Sequence, residues 1–198
     1  MKIIDEFEKL KKDKKALLLP SYFNLKFDWN DGVALLNHAS NDNNNLDIMK
    51  SFEEIGFNTK GSLATRAVAY FQSLISFPSQ YKEIDDVIKN IYKDLNWPED
   101  IPQSHQVFTN LSGGDYSSSK HKDNWGVVYI QLIGQTGWKI YKELDTDLVL
   151  QEFIMKPGDV AVFDKGTIHE VSADSPRMAI SCALPGGLTG SFSKYLED

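Results

Sequence analysis

The chain has 198 residues, with 21 basic and 28 acidic side chains and a formal net charge of -7. That length suits one domain with a sizeable buried core, and the acidic balance argues against a nucleic-acid backbone as partner for the surface as a whole. With 41% hydrophobic and 25% charged residues the composition is globular, which excludes a disordered or fibrous chain.

In chain order, "IDEFEKLKK" predicts an opening helix. Its lysines, from Lys9 to Lys15, are interleaved with apolar residues at helical spacing and read as a solvated helix face. "ALLLPSY" is a short apolar run closed by Pro20, better suited to an edge strand than a helix. "DWNDGVALLNHA" predicts a helix with Asp31 as its cap, and "SNDNNNLD" an asparagine-rich loop. "SLATRAVAYFQSLISF" and "SQYKEIDDVIKNIYKDLNW" carry apolar residues at i, i+3 and i+4 and predict two more helices. Residues 1–103 are therefore expected to be mostly helical.

From Ser104 the pattern changes to short strands punctuated by glycine, aspartate and proline. "HQVFTN", "YSSSKH", "GVVYIQLI", "GWKIYKEL", "DLVLQEFIM", "DVAVFD", "IHEVS" and "RMAISCAL" follow one another, with turn signals such as "LSGGD", "IGQTG", "KPGD" and "DKG" between them. Eight short antiparallel strands are the number for a jelly roll, the double-sheet arrangement of cupins. The expected fold class is mainly β with a helical flank: a roll over residues 104–184, helices of the first half packed on it, and a tail, 185–198, covering it. No internal repeat or linker divides the chain, so one unit over 1–198 is expected. "MKIIDEFEKL" lacks the continuous apolar stretch of a signal peptide and no run approaches membrane-spanning length. Cys182 is the single cysteine, which excludes an internal disulfide. A cytoplasmic protein is expected, with Cys182, in the strand-like "MAISCALP", as an inert core residue.

At the mouth of the "GVVYIQLI" strand stand His121 and Asp123. Two residues apart on extended chain, they face one way while Lys122 faces the other. Alone, such a pair as often serves a turn or a surface ion pair. In "KPGDVAVFDKGTIHEV", 48 residues on from His121, Gly158 and Asp159 make a turn, "VAVF" a buried strand, "DKGT" a second turn, and His169 opens the next strand. In a jelly roll the strands of His121 and His169 are neighbours. Two neutral imidazoles and one carboxylate on one face of a metal leave about three coordination positions open, the arrangement suited to non-haem Fe(II) oxygen chemistry. His38 and His105 lie outside the motif and read as ordinary polar positions.

"HKDNWGVVYIQLIGQTGWKIY" resembles the JmjC and cupin-like hydroxylase segment of the Fe(II)- and 2-oxoglutarate-dependent oxygenase superfamily, in which His-x-Asp precedes an apolar strand, a glycine turn and a tryptophan. "HEVSADSPRMAIS" is similar to the final strands of prolyl-hydroxylase-type members, where the distal histidine is followed by an arginine. The resemblance spans Val107 to Leu184 and implies a double-stranded β-helix, Fe(II) on His121, Asp123 and His169, and 2-oxoglutarate as cosubstrate. The distal carboxylate of that dianion needs a buried cation. Arg177 fits, and Ser181, of the same strand parity, can donate to the same carboxylate. The other reading of Arg177 is a strand-entry arginine reaching solvent. Tyr129 stands where the resemblance places a cosubstrate contact; the alternative is a plain core tyrosine. Trp125, Trp138 and Tyr116 either wall the pocket or belong to the core.

JmjC-type members carry a lysine for this carboxylate two residues before the tryptophan. Here that position is Thr136, and Lys139 has the outward parity. Either Arg177 takes the role or no 2-oxoglutarate binds. Three function classes follow: an Fe(II)- and 2-oxoglutarate-dependent hydroxylase acting on a small molecule or a protein side chain, a metal-dependent cupin dioxygenase or isomerase without the keto acid, and a non-catalytic cupin binding module.

Overall fold

A computed structural model describes residues 3–24, 26–41, 66–71, 82–96, 104–110 and 116–184. Among the described residues three helices precede the roll: α1 (Ile3–Lys12), α2 (Trp29–Asn41) and α3 (Lys82–Asp94). Their sequences explain which side they bury. In α3, Ile84, Ile88 and Ile91 recur at i, i+4 and i+7 and are buried, while Lys82–Asp86 and Lys89–Asp85 pair along the exposed side. In α1 the fully buried Phe7 sits between Ile3 and Leu10, which pack against the same core. The α2 cap is Asp28, whose Oδ1 accepts from the N–H groups of Asn30 and Asp31 at 2.7 and 3.2 Å. Asp31, the cap expected from sequence, instead lies in the first turn and returns a bond from the Asp28 N–H at 3.0 Å.

Among the described residues ten strands make two antiparallel sheets. The strands are β1 (Leu17–Leu19), β2 (Arg66–Phe71), β3 (Ser104–Asn110), β4 (Tyr116–Lys122), β5 (Gly126–Ile133), β6 (Thr136–Tyr141), β7 (Val149–Met155), β8 (Val160–Phe163), β9 (Ile168–Ala173) and β10 (Arg177–Leu184). One sheet runs β1-β8-β5-β10-β3-β2 and the other β4-β9-β6-β7. All eight strands expected after Ser104 are present, and the apolar run before Pro20 forms the edge strand β1. The expectation of a helix over "RAVAYF" is overturned: residues 66–71 form β2, paired with β3 over its whole length. Ladder hydrogen bonds to a neighbouring strand outweigh a weak helical period. The six-stranded sheet thus takes two strands from before residue 104, and that half is less helical than its periodicity suggests.

The six-stranded sheet is covered on both sides, and this makes β5 a nearly continuous buried run. Val128, Ile130, Val162, Met178, Ile180 and Cys182 pack outward against Phe7, Leu35, Ile84, Ile88 and Ile91 of the helices. Val127, Tyr129, Ala161, Phe163 and Ala179 pack inward against Trp138, Ile140, Met155 and Val171 of the four-stranded sheet. This is a double-stranded β-helix with helices on one outer face. At one end the Gln151 side-chain amide bridges the sheets, accepting from the Ala16 N–H at 2.9 Å and donating to its carbonyl at 3.1 Å.

The Gly158–Asp159 turn is pinned from several sides. Asp159 accepts from the N–H groups of Ser21 and Lys156, both at 2.8 Å, and Gly158 donates to the Gln131 carbonyl at 3.0 Å. Gly158 has φ 92°, and a Cβ there would lie 2.5 Å from the Phe23 carbonyl oxygen. Among the described residues no helix is long and apolar enough to cross a membrane. The asparagine-rich loop from Asp42 onward, Gly186, Gly187 and the expected covering tail lie outside the described residues, as do the side chains of His38, His105 and Tyr116.

Candidate metal centre

The pairing of β4 with β9 puts His121 directly opposite His169. Their ring centroids are 4.3 Å apart. Asp123 lies one residue beyond the end of β4, where its carbonyl accepts from the Gly166 N–H at 3.0 Å. Its two carboxylate oxygens stand 3.8 Å from the Nε2 atoms of His121 and His169 respectively. One donor atom from each of the three residues falls within 4.8 Å of the others, so the trio singled out in the sequence is brought together.

Both imidazoles are oriented through their other nitrogen. A carbonyl only accepts, so Nδ1 of His121 donates to the Ser119 carbonyl at 2.7 Å and Nδ1 of His169 to the Thr167 carbonyl at 2.9 Å. In its neutral form each ring then carries its proton on Nδ1 and leaves the Nε2 lone pair free, the tautomer a metal requires. Burial, with His121 beside it, lowers the His169 pKa to about 4, against a weaker opposing pull from the Thr167 carbonyl. His169 is therefore a neutral donor at neutral pH. Desolvation raises the Asp123 carboxyl above the usual carboxylate range, and His121 opposes that shift. His169 is buried while His121 and Asp123 keep solvent contact, so one side of the cluster is open. Two imidazoles and a carboxylate, pre-oriented and with one side open, fit a facial site for a divalent non-haem metal.

Deeper in the roll, Arg177 is 7% exposed. Its Nη1 donates to the Tyr129 hydroxyl at 2.8 Å and its guanidinium carbon lies 6.0 Å from the centre of the Phe108 ring. Among the described residues its Nε is buried without a hydrogen-bond partner and no carboxylate forms an ion pair with it. The solvent-reaching reading of Arg177 is thereby set aside. Ser181 lies opposite Tyr129 in the β10·β5 register, so Arg177, Ser181 and Tyr129 share the inner face. Burial raises the Tyr129 pKa, with the Arg177 charge opposing.

Thr136 is fully buried and spends its hydroxyl on a chain: Trp138 Nε1 donates to Thr136 Oγ1 at 3.0 Å, and Thr136 donates to Gln131 Oε1 at 2.8 Å. Lys139 stands in register between Glu152 and Glu170, on the outer side as its parity required. Trp138 is a core residue that also links the two groups, its ring 5.5 Å from His169 and 4.7 Å from Tyr129 between centroids. Trp125 is 39% exposed and is no part of that core. Sequence reasoning passed over Asn110 and Gln131. Asn110 is buried opposite Arg177 in the β10·β3 register, visible only once register is known. Gln131 was visible as a lone amide in an otherwise apolar strand.

The fold is a double-stranded β-helix that brings two histidines and an aspartate together where β4 meets β9. Residues 87–187, half of the chain, match the family model described as JmjC domain. The chain belongs to the JmjC domain family, as its resemblance from "HKDNWGVVYIQLIGQTGWKIY" anticipated. Among solved structures it is similar to YcfD, a ribosomal oxygenase from Escherichia coli, in complex with cobalt and 2-oxoglutarate. That match has a TM-score of 0.53 at 15% identity and covers 85% of this chain and 47% of that one. YcfD in complex with cobalt and succinic acid matches with a TM-score of 0.54 at 14% identity, covering 92% of this chain and 52% of that one. The chain spans about half the length of these structures. No curated protein matches it.

Proposed function

We propose that the chain is a non-haem Fe(II)- and 2-oxoglutarate-dependent oxygenase, with His121, Asp123 and His169 as the metal ligands and Arg177, Tyr129 and Ser181 holding the distal carboxylate of the keto acid. The observation that carries it is Arg177: a guanidinium buried on the inner face of the roll, bonded to one neutral hydroxyl and paired with no carboxylate among the described residues. A buried cation is stable only with a counter-charge or dense hydrogen bonding, and a dicarboxylate chelated at the metal end would bring its other carboxylate as that counter-charge. Membership of the JmjC domain family and the likeness to YcfD support this reading.

When bound, iron and 2-oxoglutarate supply an oxidant generated from dioxygen with release of carbon dioxide and succinate. The chain's own residues do the rest. The Ser119 and Thr167 carbonyls hold both Nε2 lone pairs toward one point. Arg177 and Tyr129 orient the keto acid and fix how deep it sits, while Trp138, Phe163 and Val171 exclude water from the inner face. The single unit over residues 1–198, a reducing cytoplasmic setting, and a small molecule or protein side chain as substrate belong to the same proposal. The test is succinate formation from 2-oxoglutarate with Fe(II) and ascorbate. Turnover abolished by Asp123→Ala supports it; a wild-type chain that binds metal but neither binds nor decarboxylates 2-oxoglutarate refutes it in favour of a keto-acid-independent cupin.

A further inference from the structure

The turn between β8 and β9, residues 164–167, touches two of the three candidate ligands through its backbone. Gly166, at φ 77°, donates its N–H to the Asp123 carbonyl at 3.0 Å, and the Thr167 carbonyl accepts from His169 Nδ1 at 2.9 Å. The turn is closed by the Thr167 N–H on the Asp164 carbonyl at 3.1 Å. Its shape therefore sets where the Asp123 carboxylate and the His169 ring point. Its first side chain is held by charge from a distant element. Asp164 Oδ2 lies 3.3 Å from Lys11 Nζ on α1, with the two side chains only 18% and 21% exposed. The other carboxylate oxygen, Oδ1, is buried and has no hydrogen-bond partner among the described residues. Lys11 is carried on a fixed platform, since Phe7 one turn earlier is fully buried in the outer core and Leu10 packs beside it.

We propose that Lys11 is a positioning residue for the metal centre: through Asp164 it holds the 164–167 turn in the shape that aims Asp123 and His169 at one ion. This rests on the reading of His121, Asp123 and His169 as metal ligands. A carboxylate with one oxygen buried and unbonded depends on its cation. Without the Lys11 ammonium it turns toward water, and the turn's backbone moves with it. Groups that orient metal ligands without touching the metal change affinity by about 10- to 100-fold when removed. Arginine at position 11 keeps the charge, whereas methionine keeps the aliphatic stem alone.

The test is a Co(II) titration of the metal-free protein followed by d–d absorption, which reports ligand geometry as well as occupancy. Wild type, Lys11→Met, Lys11→Arg and Asp123→Ala are compared, with the melting temperature of each metal-free variant alongside. Lys11→Met should unfold close to the wild-type temperature yet bind Co(II) about tenfold more weakly, with an altered band shape. Lys11→Arg should restore affinity and spectrum. Adding Asp164→Asn to Lys11→Met, which removes the stranded charge, should bind Co(II) more tightly than Lys11→Met alone. Wild-type affinity and spectrum in Lys11→Met, or failure of Lys11→Arg to restore them, overturns the Lys11 assignment and leaves the ligand reading intact if Asp123→Ala has lost cobalt. Cobalt bound equally by wild type and Asp123→Ala, or by neither, overturns both.

Discussion

Arg177 and Asp123 are the side chains whose environments carry the most chemical information. Asp123 has a histidine Nε2 near each oxygen and, among the described residues, no lysine or arginine paired with it, so its replacement should remove metal while leaving the fold intact. Metal content of purified Asp123→Ala against wild type checks this, and equal content would take Asp123 out of the site. Cys182 makes the opposite kind of prediction. It is fully buried against the helices, and burial pushes its thiol pKa up to about 12. At about pH 8, where an exposed thiol is partly ionised, it should resist a thiol reagent in the folded protein and react promptly after denaturation. Ready labelling of the native chain would contradict its placement. These residues were legible in the sequence because alternation along a strand assigns each side chain a face. His121 and Asp123 fall on one face, and Arg177 with Ser181 on the inner face of an apolar strand. Asn110 was not legible, because its place opposite Arg177 is set by the register between β3 and β10, and the bonds that join Gln131, Thr136 and Trp138 depend on how the chain turns from one sheet into the other.

Strands after Ser104 were readable because glycine, proline and aspartate turns bracket each one. The "RAVAYF" segment shows the limit of the same procedure. Its apolar residues satisfy a helical period, yet the hydrogen-bonding edge of β3 recruits it as β2. Edge pairing is a property of the neighbour, so no local pattern announces it. The turn before β8 was readable as "KPGD", and the structure explains why glycine is needed there. With φ at 92° and the Phe23 carbonyl where a Cβ would sit, Gly158→Ala is expected to cost about 2 kcal/mol or more. Urea denaturation measures it, and a loss under a few tenths of a kcal/mol would show that the turn can relax.

Across the whole molecule, one apolar layer joins the helices to the six-stranded sheet, since Phe7, Ile84, Ile88 and Ile91 share a cluster with Val128, Val162, Met178 and Ile180. Helices and roll are therefore expected to unfold together, with tryptophan fluorescence and far-ultraviolet circular dichroism tracing one coincident transition. Ile88→Ala should lower its stability by about 2–5 kcal/mol; two separated transitions would mean that the helices form a unit of their own. The opposite face of that sheet carries Arg177 and meets the four-stranded sheet, in which β4 and β9 bring the three candidate ligands together. Equilibrium binding of 2-oxoglutarate to the metal-loaded protein, wild type against Arg177→Ala, tests this division most directly. The account predicts binding by wild type and a loss of about a hundredfold or more in Arg177→Ala, equivalent to roughly 3 kcal/mol, with metal affinity unchanged. Equal binding by the two proteins, or none by wild type with its metal in place, would contradict it.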